Sequence, residues 1–361
     1  MPEPLGHRAL VVSPFPLAEA RGNATTAQRT AHRLAARGAT TRVVTPEDLP
    51  AALASFEPDV LHGIHAGHFA HALDRAGVVA GDGPALVLTI GGNDLYEALD
   101  VATDERHPGG HDDAASRLVE RAGAVVTSTH AQHTALLERH PRPDEVFLAP
   151  KYPEVGHAPL PDFDARLAGR GPVLAWCGAM RHQKRPAWIL PIHRALAARL
   201  PDLVTLVAGP PSQPGCPDED RYARLEAELA AEPGILRVPT FPSGPTAEGG
   251  AVGSLLAACD LVLNTSRTEG VANFLLEAMH ERVPVLAART PGNRDWLTDQ
   301  AELFEDPGGA VEAAFELLSH EPRRQALGAR GRTWLDEHAD PEREADVLAA
   351  AHRRALASRG R

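Results

Sequence analysis

The chain has 361 residues, 43% of them hydrophobic but only 4% aromatic, with a formal net charge of -12. That length admits two ordinary domains with aliphatic cores. The negative balance argues against nucleic acid, which is bound through an excess of Lys and Arg, and against adhesion to anionic lipid.

Ala9 to Ser13 is a short apolar run that feeds a loop containing Gly22 and Asn23. Glycine lets backbone amides approach a ligand closely. Thr25 or Thr26 is either a helix N-cap or part of that ligand-facing loop. Thr25 to Arg37 has helical spacing and stops at Gly38, a C-cap residue, and Thr41 to Thr45 returns as a strand. Val60 to His62 opens a run in which His62, His65, His68 and His71 recur every third residue. Gly63 and Gly67 interrupt it, and no acidic or cysteine ligands accompany it at a metal spacing, so the expectation is no metal site. His62 or His65 is expected to line a cleft. Ala85 to Thr89 is a strand followed by Gly91 and Gly92, whose tight turn projects Asn93 and Asp94. Asp94 either orients an acceptor or caps the next helix. Ala124 to Thr127 is a further strand.

From Pro150 to Pro172 the pattern lapses into a proline-rich, aperiodic stretch, as at a domain boundary. The alternation then resumes with Val173 to Cys177, Leu203 to Ala208, Leu236 to Val238, Leu261 to Asn264 and Val283 to Ala287, and the tail is helical from Val311. Strands interleaved with helices predict an α/β protein with two parallel, Rossmann-like sheets. The boundaries are 1–150, a linker 151–171, a second domain 172–335 and a terminal helix 336–361. No apolar run approaches the roughly 18 residues of a membrane span. The first residues lack a signal peptide's apolar core. Cys177, Cys216 and Cys259 suit neither a disulfide framework nor a zinc ribbon. The expectation is a cytoplasmic protein.

The chemistry concentrates in two loops of the second half. After Gly178 come Arg181 and Lys184, two cations that would stabilise charge building on a phosphate leaving group. After Asn264 come Glu269 and Gly270, then a helix opening near Val271 and carrying Glu277 two turns on. Free amides at a helix start behind a glycine hold anions, phosphate above all. One carboxylate beside that anion and a second reaching a hydroxyl-rich group suit a nucleotide diphosphate-sugar.

This stretch resembles the Glu-x7-Glu signature of family 4 glycosyltransferases, whose GT-B fold faces two Rossmann-like domains across a cleft. The resemblance implies that Glu269 contacts the donor sugar, Gly270, Val271, Ala272 and Asn273 hold the diphosphate, and Glu277 binds the ribose. It also implies that Arg181 and Lys184 grip the diphosphate, that Val238 meets the base through its backbone, and that the terminal helix returns to the first domain. Gly22 joins the donor side, and Asn23, Thr25, His62, His65, Asn93 and Asp94 form the acceptor side. Two positions depart from the family: Ala179 stands where Arg is common, and Gly91 to Asp94 replace a histidine-bearing loop. The order of Gly22–Ala27, Gly91–Tyr96, Gly178–Lys184, Glu269–Asn273 and Val283–Asn293 is similar to a subgroup containing bacterial selenosugar synthases and the animal glycosyltransferase 1 domain-containing protein 1. The activity implied is a retaining, metal-independent transfer from a nucleotide-sugar, UDP-sugar by default, without a cofactor, to a small or glycan acceptor. The alternatives are selenophosphate as acceptor and another GT-B activity such as sugar-nucleotide epimerisation.

Overall fold

The computed structural model describes residues 3–17, 22–78, 83–91, 94–95, 112–142, 144–160, 167, 169, 171–211, 218–238 and 250–358. The chain divides into two compact units. One comprises Met1–Leu17, Gly22–Tyr152 and His338–Arg361, and the other contains Pro153–Glu337.

In the first unit the strands are β1 (Arg8–Val12), β2 (Thr40–Val44), β3 (Val60–Ile64), β4 (Ala85–Thr89), β5 (Ala124–Thr127) and β6 (Val146–Leu148). They form one sheet in the order β2-β1-β3-β4-β5-β6, with parallel pairing throughout. Helices α1 (Gly22–Ala35), α2 (Leu49–Phe56), α3 (Ala66–Arg75), α4 (Asp113–Arg121) and α5 (His130–Arg139) connect them. Both faces of β3 and β4 are covered, so every residue in them is buried and the strands read as apolar runs rather than alternating ones. Leu10, Leu61 and Leu88 lie in the core on one side, Val11, Val60 and Val87 in the core on the other. Each such side chain contributes about 1.5–3 kcal/mol by leaving water.

The second unit repeats the plan. Its strands are β7 (Val173–Cys177), β8 (Val204–Ala208), β9 (Ile235–Val238), β10 (Leu261–Asn264), β11 (Val285–Ala288) and β12 (Glu302–Phe304). Their order is β12-β11-β10-β7-β8-β9, again all parallel. The helices are α6 (Ile189–Ala197), α7 (Glu219–Ala231), α8 (Val252–Ala257), α9 (Asn273–His280), α10 (Asn293–Trp296), α11 (Pro307–Ser319) and α12 (Glu321–His338). The last helix, α13 (Pro341–Ala357), packs on the first sheet, where Leu348, Ala351 and Ala355 enter the core beside Ala124 and Val126. Gly123 makes room for it, because a Cβ there would press into the Ala355 backbone and the Ser358 hydroxyl.

Four strand predictions, at Ala85–Thr89, Ala124–Thr127, Val173–Cys177 and Leu261–Asn264, coincide with observed strands, and others shift by one or two residues. Two three-residue edge strands, β6 and β12, were not anticipated, since an element that short carries too few residues for a periodic signal. The first helix opens at Gly22 rather than Thr25. Thr25 and Thr26 therefore sit within its buried face rather than at the N-cap, and the Thr26 hydroxyl donates to the Gly22 carbonyl at 2.8 Å. α9 likewise opens at Asn273, two residues beyond Val271.

Candidate active site

In the second sheet the chain runs outward from β7 through β8 and β9, then starts again beside β7 with β10 and runs the other way. Adjacent strands whose connections leave in opposite directions open a crevice at their carboxyl ends, where open α/β sheets bind ligands. The two loops that carry the predicted chemistry leave those two strands. Lys184 lies in a short 3-10 turn, His182–Lys184, beyond β7, and Glu269 lies beyond β10.

Their side chains meet: the Lys184 ammonium is paired with Glu269 Oε1. The Glu269 carboxylate is buried and also accepts from the Ser266 hydroxyl at 2.6 Å and from Asn264 Nδ2 at 3.4 Å. Burial alone would raise this carboxyl. The Lys184 charge and the hydrogen bonds from Lys184, Ser266 and Asn264 outweigh it and hold the group below its ordinary value. Asn264 is fixed in turn, its Oδ1 accepting from the Ser266 amide at 3.1 Å and from Asn293 Nδ2 at 3.2 Å. Thr265 fastens one loop to the other: its hydroxyl donates to the Lys184 carbonyl at 2.6 Å and accepts from Trp176 Nε1 at 2.8 Å. The Arg267 amide adds a bond to the Gln183 carbonyl at 2.7 Å. Arg181 is half-buried at the start of the same turn, its carbonyl accepting from the Lys184 amide at 3.0 Å.

Gly292 supports Glu269 from behind. Its φ is +84°, and a Cβ there would overlap the Glu269 carbonyl oxygen. No L side chain fits that position without moving the Glu269 backbone.

The N-cap of α9 is Ala272, with φ -68° and ψ 121°, whose side chain makes no cap bond. Gly270 is buried and Val271, Ala272 and Asn273 are half-buried. Glu277 is the fifth residue of α9 and is buried. Its charge reaches Cys177 at the end of β7, whose thiol burial and Glu277 together push up to about 12. That thiol is therefore protonated and unreactive at neutral pH. Val238 ends β9, and its carbonyl accepts from the Gly209 amide at 3.0 Å.

The first unit gathers a smaller set at the carboxyl edge of its sheet. Asp94 is buried and accepts from the Ala66 amide at 2.8 Å and the Gly91 amide at 2.6 Å, while His65 Nδ1 lies 2.8 Å from its Oδ1. His65 has a φ of +78°, an uncommon conformation for a residue with a Cβ. Gly22 and Asn23 form the first turn of α1, the glycine exposed and the asparagine half-buried. Asn93 lies outside the described residues. His62 requires a correction. It is fully buried, with Nδ1 2.9 Å from His352 and Nε2 2.7 Å from the Thr89 hydroxyl, so it is a core residue and has no surface to offer an acceptor. Its place in the middle of a strand covered on both faces decides this. His71 is exposed, 3.8 Å from Asp112, and His68 packs edge-on against His65. Among the described residues no group of three or more His, Cys, Asp or Glu is arranged to hold a metal ion.

Sequence reading missed the supporting groups Asn264, Thr265, Ser266, Gly292 and Asn293. The available signal was a polar residue closing an apolar strand and a Gly-Asn pair after the next one, both inside quoted motifs but without a role.

This architecture is the GT-B fold, and residues 171–320 match the family model described as "Glycosyl transferases group 1". Sucrose-phosphate synthase from Thermosynechococcus elongatus superposes with a TM-score of 0.73 at 15% identity, over 98% of this chain and 100% of that one. Anabaena Alr3699/HepE, solved in complex with UDP-glucose, superposes with a TM-score of 0.66 at 17% identity, over 95% and 98% of the two chains. In sequence the chain is similar to the D-inositol 3-phosphate glycosyltransferases of Mycobacterium bovis and Mycobacterium tuberculosis, 29% identical over 309 residues. The match covers 81% of this chain and 57% of their length. No helix among the described residues is long and apolar enough to cross a membrane.

Proposed function

We propose that the protein is a glycosyltransferase that moves a sugar from a nucleotide-sugar, specifically a UDP-sugar, to a small or glycan acceptor, with retention and without a metal ion. The observation that carries this reading is the meeting of Lys184 and Glu269 beyond β7 and β10, with Glu269 in the loop that leads into the start of α9. The amides at that start and the Lys184 and Arg181 cations suit a diphosphate, and as the sugar leaves they stabilise the charge that collects there. Lys184 is well placed to exchange partners, since its ion pair with Glu269 is not sealed: the lysine side chain keeps 18% of its exposure. Phosphate oxygens would draw the ammonium over and leave Glu269 to accept from the sugar hydroxyls. Glu277 takes the ribose hydroxyls and the backbone at Val238 the base. Gly22, Asn23, His65 and Asn93 are assigned to the substrates' remaining contacts, while Asp94 and Thr25, both buried, support them from behind, Asp94 by holding His65 and the Gly91 amide. In a front-face displacement the departing phosphate itself takes the acceptor proton. The names of the similar proteins support this reading: one was solved with UDP-glucose, and the mycobacterial relatives are glycosyltransferases of an inositol phosphate.

The order of the quoted motifs also supports selenophosphate as an acceptor. One experiment separates the readings. Thermal shifts with UDP, GDP, ADP and their sugars identify the donor, because a ligand selective for the folded state raises the melting temperature. The preferred UDP-sugar is then incubated alone, with inositol phosphate and with selenophosphate. Release of UDP only with an acceptor supports transfer and names its class. Conversion of the sugar without any acceptor indicates an epimerase, and the absence of any shift with UDP or a UDP-sugar overturns the proposal.

A further inference from the structure

Three histidines distant in sequence form one hydrogen-bonded line through the first unit. His7, just before β1, places Nε2 2.9 Å from His352 Nδ1. His352, on α13, places Nε2 2.9 Å from His62 Nδ1. His62, in β3, places Nε2 2.7 Å from the Thr89 hydroxyl at the end of β4. His62 and His352 are fully buried and His7 is nearly so. None of them takes part in the proposed reaction.

The proton positions follow from one end. The Leu5 carbonyl, 3.3 Å from His7 Nδ1, can only accept, so His7 Nδ1 carries its proton and Nε2 is a lone pair. His352 Nδ1 must then donate to His7, His62 Nδ1 to His352, and the Thr89 hydroxyl to His62. Three neutral rings satisfy every nitrogen. A single proton entering at His7 is tolerated only if every bond in the line reverses. A second proton sets two N–H groups against each other.

We propose that this line is an acid-sensitive lock, which holds α13 on the first sheet while its rings are neutral and releases the helix when they take protons. Burial favours the neutral form of all three. It lowers His62 to about 3 and His352 well below its ordinary value, the latter reinforced by its two neighbouring rings. His7 is lowered by burial and by Arg353 on α13, against the opposing pull of the Leu5 carbonyl and of Asp59 from the approach to β3. Among the described residues, other charges between α13 and its surroundings include the pairs of Glu344 with Arg29 and Arg33 of α1, of Arg37 with Glu342 and Asp346, and of Arg354 with Glu145, and Arg142, which faces Arg354.

The direction is fixed by linkage. A histidine whose folded value is depressed leaves stability intact above about pH 6.5 and removes it as the pH falls from there, because only the open state takes the proton. Between pH 7.5 and 5.0 the opening equilibrium therefore rises about 30-fold for one such ring and about 10³-fold for two.

Hydrogen exchange on the full chain at the two pH values, corrected for intrinsic rates, tests this. The expected result is that amides of α13 lose protection by 30-fold or more while those of α11 in the second unit do not. His352→Gln, which keeps a hydrogen-bonding side chain but cannot titrate, is expected to shrink the pH ratio by at least about 10-fold. The proposal is overturned by an unchanged α13 ratio, by equal loosening of α11 and α13, or by a folded His352→Gln variant with the wild-type ratio. If that variant does not fold, the wild-type comparison of the two helices decides alone.

Discussion

The two sheets have the same size and the same parallel pairing, yet they bury polar side chains in different places. In the first, three neutral rings, His7, His352 and His62, form a matched line that ends on the Thr89 hydroxyl, and a sealed ion pair, Arg29 with Glu344, joins α1 to α13. In the second, Asn293, Asn264, Ser266, Glu269 and Lys184 gather beyond the ends of β7 and β10, and the group contains a full ion pair. A neutral network with every donor matched can sit inside a core because nothing in it needs a solvent or a ligand. A charge can be held at modest cost only with its partner, and the partner can be exchanged only where a ligand can arrive. Access separates polarity available for chemistry from polarity that holds a fold, since Lys184 keeps 18% of its side-chain exposure whereas Arg29 and Glu344 of the first unit keep 2% and 5%.

Replacing Gly292 with Ala is expected to break the second network most severely. The new methyl meets a backbone oxygen at a φ of +84°, so neither rotamer choice nor side-chain movement relieves it. The expected loss is about 4 kcal/mol, from left-handed strain together with overpacking. All four tryptophans, Trp176, Trp188, Trp296 and Trp334, lie in the second unit. Urea unfolding followed by tryptophan fluorescence therefore reports that unit by itself. A loss below about 1 kcal/mol would show that the Glu269 loop tolerates displacement.

Next in size is Lys184→Met. It leaves Glu269 buried without its cation, which costs about 3 kcal/mol. Adding Glu269→Gln removes the stranded charge and is expected to restore more than half of the loss, a coupling measured by the same fluorescence titration as a double-mutant cycle. Additive losses would mean that the pair does not act as a unit. Under the proposed function both variants also lose their thermal shift with UDP, so stability recovers in the double variant while ligand binding does not.

Both networks were only partly legible in the sequence, for different reasons. Glu269, Glu277 and Lys184 stood out because they lie in glycine-containing turns and a helix start that follow apolar strands, with the two glutamates spaced as in the Glu-x7-Glu signature, a local signal that survives without any tertiary information. The groups that position Glu269 come from further away: Asn293 bonds Asn264 across 29 residues, and Gly292 approaches Glu269 only because β10 and β11 are neighbours. The histidine line is more remote still, since His62 and His352 are 290 positions apart. Read along the chain, His62 belonged to a run of histidines and suggested a cleft. Only the return of α13 to the first sheet supplies the ring that makes it a core residue. Strands covered on both faces were recognised from their apolar runs, whereas β6 and β12 were too short to announce themselves.

The smallest expected effect sharpens the comparison, because it asks the same question of both networks with one kind of substitution. Thr265→Val and Thr89→Val each replace a buried hydroxyl by a methyl of similar size. Thr265 both donates, to the Lys184 carbonyl, and accepts, from Trp176 Nε1. Its loss leaves two buried groups unmatched, for about 2 kcal/mol. Thr89 ends its line as a single donor to His62 Nε2, so its loss strands one acceptor, for about 1 kcal/mol. Thr265→Val should lower the fluorescence midpoint in urea and perturb the Trp176 emission. Thr89→Val should leave the fluorescence transition in place and appear only in backbone circular dichroism, which reports both units. Equal effects by both probes would mean that the units unfold together and that the local difference between their networks is averaged over the whole chain.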